Sequence, residues 1–155
     1  MITAVFITIL LASCASRENK PAENLQPTKP DTLQHTPGKP SPAKCYQYAS
    51  VDDTIRLTVI QLDSLITGTL SYRLKEKDKN DGAIQGKMVA GMLIADYTFM
   101  SEGVSSVRQV VFRLDGGAFV EGYGPIVTQN GRVYFKDIKS LNYDTNMKLE
   151  EYTCR

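Results

Sequence analysis

Ile66-Thr67-Gly68-Thr69-Leu70-Ser71-Tyr72-Arg73-Leu74 is the stretch on which the fold turns. Ile66, Gly68, Leu70, Tyr72 and Leu74 take every second position, and Thr67, Thr69, Ser71 and Arg73 fill the others. A strand sends successive side chains to opposite faces. This period therefore turns the apolar set toward a core and the polar set toward water. The same beat recurs on both sides of the run. Ile55, Leu57 and Val59 alternate with Arg56, Thr58 and Ile60. Leu93, Ala95, Tyr97 and Phe99 alternate around Asp96 and Thr98. Val110, Phe112 and Leu114 alternate with Val111 and Arg113, and Val133 and Phe135 sit beside Tyr134 and Lys136.

Turn signals separate these runs: Asp63-Ser64, Asn80-Asp81-Gly82, Glu102-Gly103, Asp115-Gly116-Gly117 and Asn130-Gly131. Asn-Gly and Asp-Gly supply the positive φ angles that tight hairpins need. Short strands joined this way predict an all-β domain of about eight strands. The expected form is an antiparallel meander making a small closed or partly open β-barrel, with a β-sandwich as the alternative. No stretch has a helical period, and Lys136–Leu141 is the one place for a short turn of helix. Gly122-Tyr123-Gly124-Pro125 predicts a bulge or bend.

The chain has 155 residues, a formal net charge of +1 and 42% hydrophobic residues, which suits one domain and a tail. Residues 45–155 hold 13 Lys plus Arg against 14 Asp plus Glu. That balance speaks against a nucleic-acid partner, which selects for a clustered basic excess. The single histidine, His35, lies outside that region. A Ser-His-Asp or Cys-His apparatus, and a zinc site built on histidine, are therefore not expected in the folded part. No metal or other cofactor is predicted.

Residues 1–13 are uncharged and dominated by Ile, Leu, Val, Phe and Ala. They are too few to span a bilayer, which takes roughly 20 residues, but they match the apolar region of a signal peptide. Leu11-Ala12-Ser13-Cys14 follows, and it resembles the lipobox of bacterial lipoproteins. The resemblance covers only these first 14 residues. It implies cleavage before Cys14, acylation of Cys14 and a place in the cell envelope. Ala15, where an Asp would favour the inner membrane, points to the outer membrane. No Lys or Arg precedes Cys14, although such signals normally open on one, so a basic stretch is expected upstream of Met1. Residues 14–44 then form the lipidated cysteine and a tether holding six of the seven prolines. Such a composition predicts a disordered spacer with a reach on the order of 90 Å. Cys45 and Cys154 bracket the domain. In an exported chain they are expected to form a disulfide that makes neighbours of the first and last strands.

Lys75-Glu76-Lys77-Asp78-Lys79-Asn80-Asp81-Gly82 superficially resembles a calcium loop, but its acidic and glycine positions miss the EF-hand register. It predicts an exposed hairpin tip. Asp96, Tyr97, Glu102, Arg108, Glu121 and Tyr123 form the candidate polar and aromatic patch. Together these features predict a lipid-anchored, non-catalytic envelope binding module. Its expected partners are the membrane through the lipid, and a small apolar ligand or an envelope protein or glycan. The alternatives are a small hydrolase using carboxylates such as Asp96 and Glu102, and a purely structural envelope component.

Overall fold

The computed structural model describes residues 38–154. Cys14, the signal-like run, His35 and the rest of the tether through Pro37 lie outside the described residues. Seven strands follow one another as a meander: β1 (Lys44–Ala49), β2 (Thr54–Leu62), β3 (Leu65–Arg73), β4 (Asn80–Val89), β5 (Met92–Ser101), β6 (Val104–Asp115) and β7 (Ala118–Tyr123). Four short strands complete the set: β8 (Ile126–Gln129), β9 (Arg132–Phe135), β10 (Asn142–Tyr143) and β11 (Glu150–Tyr152). The sheet order is β10-β7-β6-β5-β4-β3-β2-β1-β11. Every pairing is antiparallel except that of β9 with the first half of β6. The second half of β6 pairs with β7, so the sheet forks there.

Most of the expected turns are present. Glu102 and Gly103 (φ +50° and +80°) and Asn130 and Gly131 (+51° and +73°) take the paired left-handed conformation of two-residue hairpins. Gly116 and Gly117 also have positive φ. Asn80-Asp81-Gly82 is the exception. It is the start of β4, with Asn80 opposite Tyr72 and Gly82 opposite Leu70. The charged connection is confined to residues 74–79, and Gly82 serves a strand in close contact with its neighbour. The count of eleven strands exceeds the expected number because β8, β10 and β11 are too short to show a period. The expected helical turn is a single 3-10 turn at Ile138–Ser140, capped by the Asp137 carboxylate, which accepts from the Lys139 N–H.

The inward faces meet in one core. Ile55, Leu57, Leu70, Leu93, Tyr97, Phe112 and Leu149 are fully buried, each aliphatic one contributing about 1.5–3 kcal/mol. Tyr46 and Phe119 meet edge to face at 4.8 Å. The outer face of β6 and β7 is also covered. Val111 and Val120 are fully buried, Arg113 lies 4.2 Å over the Tyr143 ring, and Leu141 and Tyr143 crowd Gly122.

The ends of the chain are tied. β1 pairs with β11, and the Cys45–Cys154 disulfide joins them with Cα atoms 5.3 Å apart. One antiparallel bridge, with hydrogen bonds of 3.0 and 2.8 Å, links Phe119 on β7 to Leu149 beside β11. Ordered contacts begin before Cys45. The Ser41 N–H donates to the Gln61 carbonyl and the Gln61 N–H to Ser41 Oγ, while the Gly38 N–H donates to Asp63. The described chain thus enters at the end of the sheet that carries the Asp63, Ala90-Gly91 and Gly116-Gly117 turns.

Candidate functional site

Strand alternation builds the site. On β6, Arg108 takes the same face as the core residues Val110 and Phe112. Arg108 stands opposite Tyr97 of β5. On β7, Glu121 and Tyr123 continue the face of Phe119. Tyr72 of β3 completes the group from across the interior. Tyr72, Arg108, Glu121 and Tyr123 line a cleft of about 350 Å³, walled by Leu74, Val110, Val133 and Phe135, with Lys77, Asp78 and Asn80 among its lining. The cleft belongs to the end of the sheet that carries the 74–79 connection and the Gly124-Pro125 bend, opposite to where the chain enters.

Glu121 is the one buried charged residue in the described core, 6% exposed. Its carboxylate accepts from the Tyr72 hydroxyl at 2.6 Å and from the Tyr123 hydroxyl at 2.8 Å. Burial pushes its pKa above the usual carboxylate range, opposed by the two phenol hydrogen bonds and by the charge of Arg108. The phenols move in the same direction. Burial, and then the Glu121 charge, hold the Tyr72 and Tyr123 protons well above pH 10. Tyr123 shows a 45% exposed surface, yet its hydroxyl end is turned inward to Glu121. Burial pushes Tyr97 up to about 12, against the opposing charge of Arg108.

Arg108 is held in another way. Its guanidinium carbon lies 5.1 Å from the Tyr72 ring centre, 5.4 Å from Tyr97 and 5.7 Å from Phe99. Arg108 Nε and the Tyr97 hydroxyl are both buried with no hydrogen-bond partner.

Of the six residues expected in one patch, Tyr97, Arg108, Glu121 and Tyr123 come together. Asp96 does not. Adjacent residues on a strand face opposite ways, so Asp96 lies on the outer side, where it is ion-paired with Arg132. The register sets Asp96 opposite Gln109 rather than Arg108. Glu102 sits exposed in the β5–β6 turn at φ +50°. Six residues of extended chain put it about 20 Å from Asp96, against the roughly 5–10 Å of a two-carboxylate hydrolase. Tyr72, which lines the cleft, and Phe99, which packs on Arg108, were not among the expected site residues. Nor was Arg132, the partner of Asp96. Among the described residues no group of three His, Cys, Asp or Glu side chains converges as a metal site would need.

A second cavity of about 350 Å³ lies at the opposite end, lined by Tyr46, Val59, Ile66, Met88, Leu93 and Phe119, with Ser41 and Pro42 beside it. Its lining is mostly apolar, with Lys44 and Gln61 also contributing.

No known protein family, curated protein or solved structure matches the chain.

The buried phenols predict an alkaline transition. In the unfolded chain a tyrosine ionises near pH 10. In the folded state Tyr72, Tyr97 and Tyr123 keep their protons to higher pH. The folded state therefore binds more protons above about pH 10. The stability these phenols contribute is complete below that pH and is lost as pH rises through their folded values, which for Tyr97 means the window from about 10 to about 12. With eight tyrosines and no tryptophan, phenolate absorbance reads this directly. At least three of the eight should ionise only as the β-sheet circular dichroism is lost. A single reversible step near pH 10 for all eight, with the sheet intact, contradicts this.

Proposed function

We propose that this chain is a lipid-anchored, non-catalytic binding module of the bacterial cell envelope, which holds a small ligand in the Arg108–Glu121 cleft. The cleft itself carries the reading. It is concave, and apolar side chains share its lining with a few polar and charged ones, as in small-molecule sites generally. Anchorage rests on Leu11-Ala12-Ser13-Cys14. Acyl chains on Cys14, at about 0.8 kcal/mol per buried CH₂, hold such a chain at a membrane, here the outer one. The strand path from β7 round to β11, with the Phe119–Leu149 bridge across the remaining gap, supports a small, partly open barrel over a sandwich. The apolar cavity at the other end favours a second reading, in which the ligand is a small apolar molecule.

Metabolic labelling with a radioactive fatty acid tests the anchor. The wild-type chain is expected to take up label and to sediment with envelope membranes, and Cys14→Ser to lose both. An unlabelled wild-type chain in the soluble cytosolic fraction overturns the reading. Native mass spectrometry of the chain purified from its own host then weighs any copurifying ligand.

A further inference from the structure

Resting on the binding reading above, we infer that the ligand of the cleft carries an oxyanion, a carboxylate or a phosphate, and that Arg108 receives it. An arginine presents five N–H donors in a rigid planar fork. Among the described residues, Arg108 Nε has no hydrogen-bond acceptor and no carboxylate forms an ion pair with the guanidinium. Stacking against Tyr72, Tyr97 and Phe99 fixes the guanidinium without engaging its donors. The obvious internal partner, Glu121, lines the same cleft, but its two oxygens are occupied by the hydroxyls of Tyr72 and Tyr123. A structural ion pair does the reverse, bringing fork and carboxylate together so that each satisfies the other. Here the carboxylate accepts from two phenols, and the cation has no carboxylate partner among the described residues.

A charged fork without a carboxylate partner calls for an acceptor, and its planar N–H pairs match the two oxygens of a carboxylate or phosphate. Val110, Val133 and Phe135 give the wall an apolar part, beside the polar Lys77, Asp78, Asn80 and Gln109. The cleft therefore suits an organic acid or phosphate ester with a small apolar body better than a bare inorganic ion. Its volume of about 350 Å³ excludes the interior of a large lipid or a protein segment.

Benzoate, phenyl phosphate and benzamide share one ring and differ in the group offered to Arg108. Each is titrated into the isotope-labelled full-length chain carrying Cys14→Ser, and the Arg108 Nε–H and Tyr123 ring resonances are followed. Saturable shifts are expected with benzoate, phenyl phosphate or both, and at least about tenfold weaker binding of benzamide. The stronger of the two anions identifies the source of the oxyanion. Arg108→Gln should weaken anion binding at least about tenfold, and Arg108→Lys, which keeps charge but loses the fork, should fall between. Arg132→Gln on the outer face should leave it unchanged. Resonance dispersion confirms that each variant is folded, and Arg108→Lys stands in if Arg108→Gln is not. Benzamide binding as tightly as benzoate, or anion binding that survives in Arg108→Gln, overturns the oxyanion. If benzamide alone binds, the cleft remains a ligand site and only the oxyanion falls. If no probe shifts any cleft resonance, both readings fall.

Discussion

Removing the Cys45–Cys154 disulfide is expected to lower stability by about 4–5 kcal/mol, the largest effect of any single covalent change to the folded domain. The two cysteines are 109 residues apart in sequence. In the unfolded chain the bond therefore closes nearly the whole domain into one ring, and loop-closure entropy grows with ring size. In the folded state little is asked of the backbone, since Cys45 already lies opposite Tyr152 in the β1–β11 ladder. A domain of this size has about 5–15 kcal/mol of total stability. Losing 4–5 of that leaves a marginal fold. Urea unfolding of the Cys45→Ser, Cys154→Ser double variant against the oxidised chain reads the difference. The two-site variant is preferred because a single substitution leaves a reactive thiol beside Ala43 or Thr58. A loss below about 1.5 kcal/mol would show that residual structure in the unfolded chain already brings the two ends together.

How far the sequence could be read depended on whether a strand has one wet face. β2, β3 and β5 each pack one side on the core, and their period-two patterns locate them, whereas β6 is buried on both faces from Val110 to Phe112 and shows its period only over Val110, Phe112 and Leu114. β7 is buried on both sides from Ala118 to Gly122, so no alternation marks it. β4 is mostly exposed, and its inward positions are Gly82, Ile84 and Gly86, two of which have no side chain to display a period. Its opening Asn-Asp-Gly then imitates a turn. The site divides along the same line. Tyr97, Arg108, Glu121 and Tyr123 share one face, and parity alone separates Tyr97 from its neighbour Asp96. The Tyr72–Glu121 hydrogen bond spans 49 residues and crosses the interior. No local pattern announces such a contact, because it depends on how far the sheet curls.

Gly82→Ala is the sharpest test of that correction, with an expected loss of about 2–3 kcal/mol. A Cβ at this position would fall 2.2 Å from the Thr98 carbonyl oxygen, 2.6 Å from Tyr97 Cε2 and 2.9 Å from Phe99 Cβ. Neither side can yield easily. The Thr98 carbonyl belongs to the β4–β5 ladder, where Gly82 faces Phe99, and Tyr97 is fully buried. Overpacking of this kind costs about 1–3 kcal/mol and sometimes more, against a gain of only about 0.5–1 kcal/mol from replacing glycine within a strand. Gly91 supplies the contrast. It has φ +78° and nothing near its missing Cβ, so Gly91→Ala meets only the left-handed backbone penalty of about 1–2 kcal/mol. Were residues 80–82 a turn, the two substitutions would cost alike. The clash has a second consequence, because Tyr97 and Phe99 are two of the three rings that hold Arg108. Gly82→Ala should therefore also weaken the binding of anions in the cleft, while Gly91→Ala, at a distant hairpin, should leave it intact. Equal urea midpoints for the two variants, with Arg108 Nε–H unshifted in both, would return residues 80–82 to a turn and detach the site from the strand beneath it.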